Sequence, residues 1–251
     1  MLAIEPLRLI VFDIDGVLTG GEAQPWDLAL MGLLADLNRA AWRDSSRPAV
    51  TLCSGRPAPY VDAMLQAIDG HLPAIFESGA GLYDPAGYRF LPHPSLGSGS
   101  RMRQAKQRLT TALVRPGHAA IQPGKEYSLS LFPTELTGLE ALEPLARQAL
   151  GPLAERIDLV YSASCLNVMP AGIDKAGGLH FLSQVTGIPL AAMLAAGDSA
   201  VDAPMLTVAG YSAAPANASR YIQSLAQYVA PSPAAQGVRE ILAHFGVVGR
   251  S

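Results

Sequence analysis

Residues 10–20 read IVFDIDGVLTG, an apolar run that stops at Asp13, skips one residue, and sets a second carboxylate, Asp15, before Gly16. The stretch LRLIVFDID (7–15) is too continuously apolar to have a wet face, which fits a parallel strand covered on both sides. Two carboxylates at the end of such a strand repel each other. They imply positive charge brought there by another part of the chain or by a cation.

The rhythm around this strand sets the fold class. Residues 26–42 (WDLALMGLLADLNRAAW) place Leu28, Met31, Leu34, Leu37 and Ala41 at helical spacing. PAVTLCSG (48–55) reads as a second buried strand, APYVDAMLQAIDG (58–70) as a helix stopped by Gly70, and PAIFESGAG (73–81) as a third strand. A βαβαβ order implies a doubly wound parallel sheet. The stretch 83–100 (YDPAGYRFLPHPSLGSGS), dense in Pro, Gly and Ser, predicts turns and a mobile connection. Then follow a basic amphipathic helix (101–114), an alternating strand (125–133), a helix (139–151) and a strand region (157–170), a small α+β unit with one sheet face free. From about Ile173 the βα rhythm resumes: a helix (175–187), a strand (191–198) and two further βα pieces ending at 236–248. The expectation is an α/β, Rossmann-like core over 1–83 and 172–251, interrupted by an α+β domain over 84–171.

Bulk properties exclude several classes of function. The 251 residues are 49% apolar and carry a formal charge of −3, with no run of Lys or Arg to follow a nucleic-acid backbone or an anionic membrane. No stretch approaches the roughly 20 apolar residues of a membrane-spanning helix. Glu5, Arg8 and Asp13 interrupt any signal-peptide pattern, so a cytoplasmic setting is expected. Cys53 and Cys165 lie in apolar runs where thiols act as small hydrophobes, and neither their spacing nor that of the five histidines suits a zinc site.

Four segments fall just past the carboxyl ends of core strands or at the next helix start. They are Asp13 and Asp15; CSGRP with Ser54 and Gly55; GIDKAGG with Lys175; and GDSAVDAPM with Asp198 and Asp202. Open α/β sheets form their ligand crevice at that edge, so these residues converge on one site. Clustered carboxylates stay ionised beside a divalent cation, and an all-oxygen donor set favours Mg²⁺, which commonly bridges to phosphate. Ser54, the backbone N–H groups near Gly55, and Lys175 would cradle a phosphoryl group. Asp13 could then serve as nucleophile and Asp15 as acid and base.

Together these segments resemble the four motifs of the haloacid dehalogenase superfamily of phosphohydrolases. The match runs through residues 8–83 and 172–245. The resemblance implies Asp13 as nucleophile, Asp15 as acid/base with its backbone carbonyl on the metal, Ser54 and Lys175 on the phosphate, and Asp198 as metal ligand. Asp202 would hold the metal through water or brace Lys175. The position of the insertion resembles Cof-type members with a subclass IIB cap, and ESGAGLYD (77–84) and GIDKAGGLHFL (172–182) are similar to archaeal-type phosphoglycolate phosphatases and sugar-phosphate phosphatases. Two positions depart from the family pattern: Val201 and Ser78 stand where Asn is frequent.

A cap that closes over such a site must supply contacts to the leaving group. Lys125 and Glu126, before an alternating strand, and Asn167, in the strand leading back, are the candidates, although each alone reads as solvated surface. Arg56 reads as a structural charge partner and Asn217 as a helix cap. The expected function is a Mg²⁺-dependent phosphatase, monomeric or homodimeric, that hydrolyses a small phosphorylated metabolite, phosphoglycolate or a sugar phosphate, through an aspartyl phosphate. The alternatives are a phosphomutase with the same chemistry and a non-catalytic ligand-binding homologue.

Overall fold

The computed structural model describes residues 5–249 except 98 and 163. In chain order the first stretch holds β1 (Leu9–Phe12), α1 (Leu28–Arg43), β2 (Ala49–Leu52), α2 (Ala58–Ala67), β3 (Ala74–Phe76), β4 (Gly81–Asp84) and β5 (Arg89–Pro92). The middle holds α3 (Ser100–Leu109), β6 (Ala119–Ile121), β7 (Leu129–Pro133), α4 (Leu139–Leu150), β8 (Ile157–Tyr161) and β9 (Leu166–Pro170). The last stretch holds α5 (Lys175–Thr186), β10 (Met193–Ala196), α6 (Ala203–Val208), β11 (Tyr211–Ala214), α7 (Arg220–Leu225), β12 (Tyr228–Val229) and α8 (Ala234–His244). None of these helices is long and apolar enough to cross a membrane.

The chain divides into two units, one of residues 1–91 and 174–251 and one of 92–173. In the first, β12, β11, β10, β1 and β2 form a parallel sheet in that order. All four residues of β1 are fully buried. Each such side chain contributes about 1.5–3 kcal/mol relative to exposure, which fixes β1 at the centre. Asp13 N–H donates to the Ala196 carbonyl on β10 and Cys53 N–H to the Phe12 carbonyl, so the ladder itself delivers Asp13 to the carboxyl edge.

Four expectations change. β3 does not extend the parallel ladder beyond one bridge between Cys53 and Ile75; it pairs antiparallel with β4 in a three-stranded sheet with β5. The segment expected as a mobile connection from residue 83 therefore begins as a hairpin. Its turn is held by Asp84, which accepts from Ala86 N–H and Arg89, and by packing among Tyr83, Tyr88 and Phe90. For the same reason the second unit runs from Pro92 to Ile173 rather than over 84–171. On α1 the inward face is Leu30, Met31, Leu34, Ala35, Asn38 and Ala41, while Leu28 is exposed. Asp27 caps α1 by accepting from Leu30 N–H, which places Leu28 in the first turn beyond the core's reach.

The second unit is an antiparallel sheet in the order β6-β7-β9-β8. Leu129 and Leu131 of β7 and Leu166 and Val168 of β9 form a core with Leu109 of α3 and Leu142 and Leu150 of α4. Alternation sends Ser130 and Asn167, partners in register, to the other side.

Asn38 is fully buried and bridges two core segments, donating to the Ile68 carbonyl at 2.9 Å and accepting from Val50 N–H at 2.8 Å. Its loss leaves both main-chain groups without partners. Asn38→Ala is expected to destabilise the protein by about 2–4 kcal/mol in denaturant unfolding, and an effect below about 0.5 kcal/mol contradicts the assignment.

Candidate active site

Asp13 leaves β1 with its side chain buried, and its Oδ1 lies 2.8 Å from Lys175 Nζ. Lys175 is the first residue of α5, where Asp174 caps the helix by accepting from Gly177 N–H at 2.8 Å. The Lys175 side chain is 1% exposed, and its Nζ also meets Asp202 Oδ1 at 2.5 Å. Burial opposes the ammonium, but Asp13 and Asp202 outweigh it and hold the Lys175 proton well above the ordinary lysine range. Burial raises the Asp13 carboxyl, with Asp202 and Asp198 adding to the rise and Lys175 opposing it.

Asp202 is fully buried, and its second oxygen accepts from the main-chain N–H groups of Asp198 and Ser199 and from the Ser199 hydroxyl. Asp202 thus meets Lys175 through Oδ1 and holds the loop carrying Asp198 through Oδ2. Asp198 stands over Gly16. A Cβ on Gly16 would fall 2.2 Å from Asp198 Oδ2, and the φ of +84° is one that side chains rarely adopt, so only glycine lets this strand end approach Asp198.

One carboxylate oxygen each from Asp13, Asp198 and Asp202 lie within 4.8 Å of one another. Ionised, three carboxylates beside one ammonium leave two negative charges, the complement of one divalent cation. Asp198 registers the deficit: burial, then repulsion from Asp202, pushes its carboxyl from 3.8 to about 7. The oxygen donors and this uncompensated charge fit Mg²⁺.

Ser54 follows β2 and is 1% exposed; its N–H donates to the Ile75 carbonyl, and its Oγ accepts from Arg56 N–H, leaving its own O–H for an anion. The turn after β3 supports this segment, with Glu77 N–H on the Arg56 carbonyl and Ser78 N–H on the Ser54 carbonyl. Glu77 and Ser78 take φ of +48° and +56°, and Gly79, at +106°, leaves no room for a Cβ, which would fall 2.0 Å from the Asp174 carbonyl. One strained turn thus backs both the Ser54–Gly55 segment and the start of α5.

The first unit therefore brings Asp13, Lys175, Asp198 and Asp202 into contact, with Ser54 and Gly55 one strand away. Asp15 turns aside to Arg56. Lys125, Glu126 and Asn167 belong to the second unit, where Lys125 Nζ donates to Ser130 Oγ at 2.6 Å and Ser130 donates to Asn167 Oδ1 at 2.7 Å. Lys125 is buried rather than solvated. Asn217 does not cap the helix it precedes, where Ser219 does so; it donates to the Gly16 carbonyl at 2.8 Å and accepts from Ala234 N–H at 2.8 Å, tying the Asp15 loop to α8. No local pattern announces a contact across 201 residues.

A carboxyl raised in the fold keeps a proton that the unfolded chain releases, so rising pH favours unfolding between the two values. For Asp198 that window runs from 3.8 to about 7. Without divalent cation, Tm is expected to fall between about pH 4 and 7. Asp198→Asn should flatten the slope, and added Mg²⁺ should stabilise most at the upper end. A wild-type Tm that is level or rising over this range contradicts the assignment.

Comparison with known proteins agrees with this geometry. A family model described as haloacid dehalogenase-like hydrolase matches residues 141–242. The phosphoglycolate phosphatase of Pyrobaculum aerophilum is 29% identical over 234 residues, 93% of each chain. That of Methanothrix thermoacetophila is 37% identical over 93 residues, 37% of this chain and 42% of its own length. A haloacid dehalogenase-like hydrolase from Bacteroides thetaiotaomicron, 18% identical, superposes with a TM-score of 0.73 over 95% of this chain and 99% of its own. The carboxylates and lysine gathered at one sheet edge agree with these likenesses: the chain is similar to haloacid dehalogenase-like hydrolases over residues 141–242 and to phosphoglycolate phosphatases along most of its length.

Proposed function

We propose that the protein is a Mg²⁺-dependent phosphatase of a small phosphorylated metabolite, working through an aspartyl phosphate on Asp13, with phosphoglycolate as first substrate. The observation that carries the reading is the Asp13 carboxylate, held through Oδ1 by the buried Lys175 ammonium at 2.8 Å with Oδ2 left to attack phosphorus. Bound Mg²⁺ would be held by Asp13, Asp198 and the Asp15 backbone carbonyl, with Asp202 beside them, and would offset charge on the phosphoryl oxygens.

In the first step Asp13 Oδ2 forms a bond to phosphorus while the ester P–O bond breaks. The departing oxygen takes a proton from the Asp15 carboxyl. In the second, a water oxygen attacks phosphorus, its proton passes to Asp15, and the bond from phosphorus to Asp13 breaks. Alcohol and phosphate leave, and Asp13 and Asp15 return to their starting states. Ser54 O–H, Gly55 N–H and Lys175 bind the phosphoryl oxygens throughout.

Phosphoglycolate is favoured by the names of the Pyrobaculum and Methanothrix relatives. It also suits the second unit's chemistry, because its leaving group carries a carboxylate and Lys125 offers an ammonium oriented by Ser130. We assign Lys125 to the leaving group on this ground, with Asn167 beside it through Ser130.

A phosphate-release screen over phosphoglycolate, hexose phosphates, sucrose phosphate and glycerate conjugates, with Mg²⁺ and with chelator, tests the reading. Phosphoglycolate should turn over only with the metal, and Asp13→Asn should lower kcat by at least about 10³-fold. Release that survives Asp13→Asn names another nucleophile, and phosphoryl exchange between substrates without release indicates a mutase. Lys125→Met is expected to raise KM for phosphoglycolate roughly tenfold and to change a hexose phosphate less; equal effects on both contradict its assignment.

A further inference from the structure

Asp15 sits beyond the end of β1, where no ladder bond fixes its side chain. Arg56 does so instead, with Nε donating to Oδ2 and Nη2 to Oδ1, both at 2.7 Å. The two side chains are 17% and 24% exposed, so the pair is largely shielded from water. Such a fork fixes the plane of a carboxylate as well as its position.

Arg56 is itself held. Its guanidinium carbon lies 4.9 Å from the centre of the Tyr60 ring, and the Tyr60 hydroxyl accepts from Trp26 Nε1 at 3.1 Å. The Trp26 ring meets Tyr60 edge-on at 6.1 Å. Trp26 bridges to Thr19, and Thr19 bridges to Asp15. The contacts close into a circuit through Asp15, Arg56, Tyr60, Trp26 and Thr19, while Asn217 pins the next carbonyl, that of Gly16.

We propose that Arg56 is the positioning residue for the acid/base Asp15, with Tyr60 and Trp26 as its support; this rests on the phosphatase reading above. One guanidinium N–H keeps its oxygen of Asp15 throughout the reaction. The other gives way to the leaving-group oxygen, so that the proton is passed along a fixed line. Arg56 touches neither phosphate nor metal in this role.

The role predicts a dependence on the leaving group that a merely structural arginine lacks. An alkyl alcohol needs its proton as it departs, whereas p-nitrophenolate leaves without one. The test is kcat/KM, which reports the ester-cleaving step, for phosphoglycolate and p-nitrophenyl phosphate with wild type, Arg56→Met and Arg56→Lys. Arg56→Met should lose roughly 10²-fold on phosphoglycolate and less than about tenfold on p-nitrophenyl phosphate. Arg56→Lys, which keeps the charge and loses the fork, should shift the ratio of the two in the same direction by about tenfold, and it decides alone if Arg56→Met does not fold. An unchanged ratio, with or without loss of rate, overturns the role while wild-type turnover upholds the phosphatase reading. A wild type inactive on both esters overturns that reading and this role with it.

Discussion

The Lys175 ammonium, buried between Asp13 and Asp202, is the interaction on which the rest of the site depends. An isolated charge at 1% exposure would be costly by several kcal/mol, and it persists because two carboxylates meet it at hydrogen-bond distance. Three separate pieces of chain, the end of β1, the start of α5 and the loop after β10, are thereby joined at one point. The parallel sheet makes this possible by bringing β1 and β10 side by side with their carboxyl ends together.

Around that point each neighbour has one physical task. Asp202 spends its second oxygen on the loop carrying Asp198, so the same carboxylate orients the lysine and shapes the carboxylate cluster. Gly16 lets Asp198 approach, and the turn at Glu77–Gly79 backs the two segments that would bind phosphate. Asp15 stands apart from Lys175, under the hold of Arg56. Two carboxylates two residues apart therefore have different partners, a separation suited to one forming a bond and the other moving a proton.

Much of this was legible in the sequence where chemistry is local. The apolar run into Asp13, the lysine at a helix start and the paired acids after β10 are each visible within a few residues, and the rule for open sheets joins them. What was not legible depends on geometry between distant segments. Asn38 lies on the inward face of α1 because its amide satisfies two main-chain groups, which apolar spacing alone does not reveal. The β4–β5 hairpin was hidden in a Pro- and Gly-rich stretch whose order comes from Asp84 and three aromatic rings. Arg56 was visible as a charge, while its partner, 41 residues earlier, was not.

The central claim is that Lys175 is a charged ammonium in the folded protein despite its burial. The most direct measurement is the ¹⁵N resonance of its side-chain nitrogen followed by NMR across alkaline pH, assigned by comparison with Lys175→Met. The account predicts an ammonium that stays protonated above the ordinary lysine range, because Asp13 and Asp202 hold it. A neutral amine at Lys175 near neutral pH would contradict it.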